Sequence, residues 1–145
     1  MRRFARAYEA GDVPELVSLL TEDAWLIMPP VPHQFQGREL AARFWAATAF
    51  RPGRSSRLMP TRANGQPAFG LYVREPLAPV ARASGILVLT LAGSQISAVT
   101  GFPDSNARRF FGLPSTLPVE PGTALTRAAA RAGRPFPRRR RARCR

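Results

Sequence analysis

One stretch constrains this chain more than any other: Pro60 to Arg74, PTRANGQPAFGLYVR. An Asn-Gly pair between alternating segments is the strongest short-range signal for a two-residue hairpin turn, because both central positions take positive φ. A proline flanks the pair on each side, and proline is tolerated in a strand only where the ladder does not need its N–H. With Asn64-Gly65 as the turn, Ala63 pairs with Gln66 in a hydrogen-bonded site, followed outward by Arg62 with Pro67, Thr61 with Ala68, and Pro60 with Phe69. Sites alternate along an antiparallel ladder, so both prolines fall on non-hydrogen-bonded positions, where the backbone N–H points away from the partner strand. The prolines leave this hairpin intact and block pairing on its outer sides. The tip is expected to project past the sheet as a self-contained finger, closed to edge aggregation.

The same register sorts side chains. Leu58, Pro60, Phe69, Leu71 and Val73 share one face, and Met59, Thr61, Ala68, Gly70 and Tyr72 share the other. Both faces are more apolar than a sheet with one wet side requires. One face can rest on helices and the other can meet a partner or a second copy; the pattern does not say which does which. A homodimer through the spare face is expected, motivated by Leu58, Phe69 and Leu71.

Helical spacing dominates the first fifty residues. Phe4, Ala7, Tyr8 and Gly11 recur at helical intervals, and Val13, Leu16, Val17 and Leu20 follow on one face, with Asp12 as N-cap and Pro14 in the first turn. AWLIM reads as a strand. PPVPHQFQG can be neither helix nor central strand, because its prolines remove donors and fix the backbone. RELAARFWAATAF predicts a helix of about three turns, and from SSRLMP onward the period becomes two. AFGLYVR, SGILVLTLA and QISAVTGF are strands, the last two joined at Gly93-Ser94, and NARRFFGLP is a short helical turn ended by Gly112 and Pro114. Helices early and antiparallel strands late make an α+β pattern, one curved sheet with helices packed on one side.

Charge divides the chain in two. Nine of its 22 basic residues and none of its 9 acidic ones fall in the last 25 positions, which leaves a net of +4 out of +13 in the first 120. Every basic residue is Arg, which reads as codon bias in a GC-rich genome before it reads as selection for phosphate binding. Residues 1–118 are expected to form one domain and residues 119–145 a disordered Arg-rich tail, with a basic arm for nucleic acid or an acidic partner as the less favoured reading. A single cysteine, Cys144, excludes an internal disulfide or a zinc cluster. The longest apolar run, GILVLTLAG, falls well short of the ~20 residues of a membrane span. No secretion signal opens the chain, so a soluble, cytoplasmic protein with no membrane partner is expected.

Three blocks carry a resemblance. LVSLLTEDAWLIMPPVPHQFQGREL, SRLMPTRANGQPAFGLY and LVLTLAGSQISAVTGFPDSNARRFFGLPSTLP resemble the C-terminal SnoaL-like domain of extracytoplasmic-function sigma factors, over about Phe4 to Pro118. The resemblance implies an NTF2-like cone, a curved, mainly antiparallel sheet wrapped around N-terminal helices, often with a pocket inside. In that family two helical domains come first and bind core RNA polymerase and promoter DNA, whereas this sequence starts at the SnoaL-like domain. Sequence-specific DNA binding is therefore not carried over. The accessory role is: contact with the sigma-factor core domains or RNA polymerase, or sensing of a small apolar ligand. The expectation is a fragment of a longer sigma factor, or a frame opened at an internal Met, with the Arg-rich end lying past a natural stop.

Enzymes of the SnoaL-like and related NTF2-like families work with an Asp, or a Tyr/Asp/His set, inside the cone, where apolar walls raise a carboxyl pKa toward the working range. The resemblance makes Asp104, His33 and Tyr72 the catalytic candidates. Each also has a plainer reading: PDSN is an ordinary turn and cap, His33 lies in a proline-rich loop, and Tyr72 can simply pack. Trp25, Phe44, Tyr72 and Phe102 are candidates for a pocket wall, with core packing as the alternative. No Ser/His/Asp order, phosphate loop or metal-ligand spacing is present, so no cofactor or metal is called for. Two functions follow: a regulatory domain binding a ligand or partner, or a cyclase or isomerase using Asp104 as base with Tyr72 or His33 as electrophile. An Asp104 carboxylate inside a closed apolar cavity favours the enzyme; one that caps a surface turn removes it.

Overall fold

A computed structural model describes residues 1–119. The expectations for the Arg-rich segment and Cys144 fall on residues 120–145 and lie outside the described residues. Helix α1 (Arg2–Ala10) buries Phe4, Ala7 and Tyr8, the stripe read from spacing, and ends at Gly11 with φ 66°. Helix α2 (Val13–Ser18) starts as its sequence dictates: the Asp12 carboxylate accepts the Glu15 N–H, with proline in the first turn. Strand β1 (Leu20–Ile27) follows, then the short strand β2 (Gln34–Gln36). β2 is an edge strand, so the proline-rich segment before it breaks no central ladder. Helix α3 (Arg38–Phe44) continues into a single π-helical turn, Trp45–Ala49, in which the Phe50 N–H reaches back to the Trp45 carbonyl at 3.1 Å.

The strands β3 (Ser55–Ala63), β4 (Gln66–Arg74), β5 (Val80–Ala92) and β6 (Gln95–Phe102) are the four read from period-two patterning. Among the described residues seven strands form one sheet in the order β2-β1-β6-β5-β4-β3, and strand β7 (Thr116–Pro118) pairs with the start of β5. Only the β1–β6 contact is parallel. The ladder slips at Leu71/Tyr72 and at Thr90/Leu91, placing one extra residue in each pair, and such bulges bend and twist a sheet. The bends wrap the sheet around α1 and α3.

The hairpin register agrees with the sequence at every pair, from Ala63↔Gln66 through Arg62↔Pro67 and Pro60↔Phe69 to Leu58↔Leu71. Asn64 at φ 50° and Gly65 at φ 76° supply the two positive angles of a type I′ turn. β3 is the outer edge of the sheet, and β4 begins to pair with β5 only at Ala68, one residue past Pro67. Pro67 thus stands just before a ladder begins, and Pro60 faces the open edge. The finger is not wholly free, because the Gln66 amide donates to the Thr90 hydroxyl at 3.1 Å. Edge protection has a second component: Leu58, two residues before Pro60, donates its outward N–H to the Glu9 carboxylate at 2.8 Å.

The two sheet faces take different partners. Leu58 and Phe69, with half-buried Leu71, join the main core under α1, where the Phe4 and Phe69 rings stack with centroids 5.9 Å apart. The face expected to be spare is therefore the inner one, and the homodimer expectation loses the residues that motivated it. On the other face Ala68, Ile86 and Val88 pack against Ala107, Phe111 and Leu113 of the segment that follows β6. That segment forms a 3-10 helix, Ala107–Phe111, closed at Gly112. β5 can be apolar without alternation because Leu87 and Leu89 face the helices while Ile86 and Val88 face this C-terminal cover. Among the described residues no helix is long and apolar enough to cross a membrane.

Candidate functional site

Wrapping the sheet around α1 and α3 leaves a cavity of about 170 Å³ between them. Its helical wall is Tyr8 from α1, Phe44 from α3, and Trp45, Thr48 and Ala49 from the π-helical turn. Its sheet wall includes Leu26, Leu71, Leu87 and Val99, with Phe102 at the rim, 39% exposed. The π turn matters here because the extra residue in the ring re-aims the side chains that follow. Most of the lining is apolar.

Polar groups gather at one end. Tyr8 is buried in the core, its ring edge-on to Phe50 at 5.1 Å, and its hydroxyl has no hydrogen-bond partner among the described residues. Burial pushes the Tyr8 phenol from 10.0 up to about 12, and the nearby Arg54 guanidinium works in the opposite direction. Arg54 donates one long bond, 3.4 Å, to the Thr48 carbonyl. The Glu75 carboxylate lies 3.4 Å from the Arg54 Nε, but without the alignment a hydrogen bond needs, so the buried Nε–H donates to nothing. The Thr48 hydroxyl is used internally, donating to the Phe44 carbonyl at 2.7 Å. Ser56 is the buried polar residue beside them.

Below this end the cavity meets a more polar groove of about 420 Å³, lined by Glu9, Arg51 and the Pro52-Gly53 turn. Tyr8, Ala49, Arg54 and Ser56 line both spaces. Glu9 is already engaged, by the Leu58 N–H and by Arg57 at 3.6 Å. Among the described residues no carboxylate and no imidazole lines the cavity, and its ionisable groups are Tyr8 and Arg54.

Of the four candidates for the pocket wall, Phe44 and Phe102 line the cavity. Trp25 does not: it alternates with buried Ala24 and Leu26 along β1, points outward and is 39% exposed. The tryptophan in the wall is Trp45, 2% exposed. Tyr72 faces away from the cavity, on the C-terminal cover, where it is fully buried and donates its hydroxyl to the Pro114 carbonyl at 2.7 Å. The space left by Gly70 beside it belongs to the chain itself, since an added Cβ there would meet the Leu113 Cδ1 at 2.6 Å. Burial raises the Tyr72 pKa, with Arg108 opposing.

The three catalytic candidates do not converge in the cavity. The Asp104 carboxylate is exposed and accepts the Asn106 N–H at 2.8 Å, while its carbonyl accepts the Ala107 N–H at 3.1 Å, which makes it a turn-former leading into the 3-10 helix. It borders a different, outer groove shared with the hairpin tip. His33 is exposed, its ring 6.4 Å from Phe35. Tyr8 and Arg54 were not singled out by sequence. Tyr8 was read as one of a helical core stripe, and nothing local in RPGRSS marks Arg54, since its role depends on which wall the turn reaches. Among the described residues no group of three or more His, Cys, Asp or Glu side chains is placed to hold a metal ion.

Comparison with known proteins agrees with this architecture. The ECF RNA polymerase sigma factor SigG of Mycobacterium tuberculosis is 34% identical over 119 residues, which is 81% of this chain and 31% of that protein. The chain thus spans about a third of the curated relatives it matches. An NTF2-like protein from Mesorhizobium loti superposes with a TM-score of 0.57 at 22% identity, over 72% of this chain and 87% of that one. A candidate ketosteroid isomerase from Kribbella flavida gives 0.54 at 22% identity, over 86% and 83%. A computationally designed 17-OHP binder gives 0.53 at 15% identity, over 71% and 86%. These likenesses establish the NTF2-like cone. The model of the SnoaL-like domain matches residues 1–99, and on that match, with the cone observed directly, the chain belongs to the SnoaL-like domain family.

Proposed function

We propose that this chain is a regulatory domain that binds a small apolar ligand in its cone and acts on an RNA polymerase sigma factor. The observation that carries the ligand half is the cavity: apolar walls, a few polar groups at one end, and Tyr8 and Arg54 as its only ionisable groups among the described residues. A pocket of this composition holds and orients a ligand. Proton abstraction needs a base within hydrogen-bond reach of the substrate, and the carboxylate expected for it, Asp104, is committed to a surface turn. The partner half is supported by the likeness to part of SigG.

The ligand half is tested by titrating the full chain with toluene and recording Trp45 fluorescence in a Trp25→Phe background, so that only the cavity tryptophan reports. Saturable quenching is expected, and Leu87→Phe, which takes up space in the cavity without adding a second tryptophan, is expected to weaken it. A linear, non-saturating response would refute the reading. For the partner half, the chain is passed over immobilised sigma-factor helical domains and over core RNA polymerase, with and without toluene. Failure to retain the chain on either surface would remove that half.

A further inference from the structure

The cavity and the groove below it meet at four shared residues, Tyr8, Ala49, Arg54 and Ser56, and that junction has a chemistry of its own. On the cavity side there is a volume of about 170 Å³. An engineered apolar cavity of roughly 150 Å³ takes one benzene, so a single six-membered ring fits. On the groove side there is room for solvent. A ligand filling the cavity therefore presents one end of its ring to the junction.

At the junction the protein offers donors in excess. A guanidinium has five N–H groups. The Arg54 guanidinium gives one, weakly, to the Thr48 carbonyl, and its buried Nε–H has no acceptor. The nearby Glu75 side chain is 67% exposed, so water screens the charge it would contribute. Tyr8 adds a phenolic O–H that has no hydrogen-bond partner among the described residues. Among the described residues no acidic side chain lines the cavity to neutralise Arg54 from within. A cation met only by one exposed carboxylate, beside a neutral donor at the open end of an apolar space, is a binding site for an anion.

We propose that the site takes a single-ring carboxylate, an aromatic or alicyclic acid whose ring lies among Phe44, Trp45 and Leu87 and whose carboxylate reaches Arg54 and Tyr8. This rests on the ligand-binding reading above and names the class of ligand. A ligand without an acceptor leaves the Arg54 donors unmet, and an organic cation fails on charge.

The test compares benzoate with toluene, which share a ring and differ in the charged group, again by Trp45 fluorescence in the full-length Trp25→Phe chain. Benzoate is expected to bind at least about tenfold more tightly than toluene, the worth of one charge-assisted hydrogen bond. Arg54→Gln is expected to weaken benzoate about 10- to 100-fold and leave toluene unchanged. Toluene binding with benzoate no tighter would overturn the carboxylate assignment and leave the ligand-binding reading standing. Binding of neither would overturn both. Equal loss of both probes in Arg54→Gln would mean that Arg54 only supports the fold, which also overturns the assignment. Should Arg54→Gln not fold, Tyr8→Phe replaces it: a several-fold fall in the benzoate-to-toluene ratio is expected, and an unchanged ratio counts against the proposal.

Discussion

The protein's response to alkali is set by two tyrosines. It has two in all and no lysine, and its arginines stay charged throughout, so above neutral pH few groups titrate. In the unfolded chain Tyr8 loses its proton near 10.0; in the folded chain burial holds it to about 12. Between those values the native state binds a proton that the unfolded state has released. Raising the pH through that window therefore favours unfolding: the contribution is fully present below 10.0 and lost as pH approaches 12. Two pKa units correspond to roughly 3 kcal/mol, a large share of a typical domain stability of about 5–15 kcal/mol. Tyr72, raised by burial as well, adds a loss of the same sign. The assay is urea denaturation followed by circular dichroism at a series of pH values. Tyr8→Phe is the control, because its hydroxyl makes no hydrogen bond among the described residues and its removal is expected to change neutral-pH stability by less than about 1 kcal/mol. The expected result is a steep alkaline decline in the wild type and a shallower one in Tyr8→Phe, where only Tyr72 remains. Parallel declines in the two proteins would refute the reasoning, and so would tyrosinate absorbance in the folded protein rising in full at the ordinary phenol pKa.

Three further outcomes follow from particular contacts. Gly85→Ala is expected to cost about 3 kcal/mol in chemical denaturation, because the new Cβ would overlap the Phe102 carbonyl oxygen, a backbone atom with little freedom to yield; a change within error would contradict that packing. Glu9→Ala is expected to cost about 1–2 kcal/mol and to raise aggregation in light scattering, because it leaves the outward Leu58 N–H of the edge strand unpaired; unaltered stability and solubility would refute that role. Gly65→Ala is expected to cost about 1–2 kcal/mol, since φ 76° is left-handed; equal melting temperatures would argue against the type I′ turn.

Local interactions were legible in the sequence because their partners are sequence neighbours. Asp12 caps the helix beside it, and Asn64-Gly65 with two flanking prolines fixes one register out of many, down to the strand edges on which pairing stops. The same ladder sorted Leu58 and Phe69 from Ala68 and Tyr72 correctly, but alternation carries no label for inside. That label came from two distant segments: α1 covers one face, and residues 107–113, separated from the hairpin by two further strands, cover the other. For the same reason Tyr72 and Trp25 stand among the pocket candidates without lining the cavity, while Trp45 lines it and reads in the sequence only as part of a helical apolar stripe.

What the sequence determined alone is the α+β order of elements, the hairpin with its guarded edges, and the blocks by which the family is recognisable. What only the tertiary structure decided is the site. Tyr8 and Arg54 lie 46 positions apart in the chain and become neighbours because the bulged sheet curls around α1 and brings the turn before β3 against it. Capping, turn and ladder geometry act over a few bonds and leave their mark in residue order. A cavity is the space left over when curved layers close, and its lining is fixed by long-range packing that no local pattern encodes.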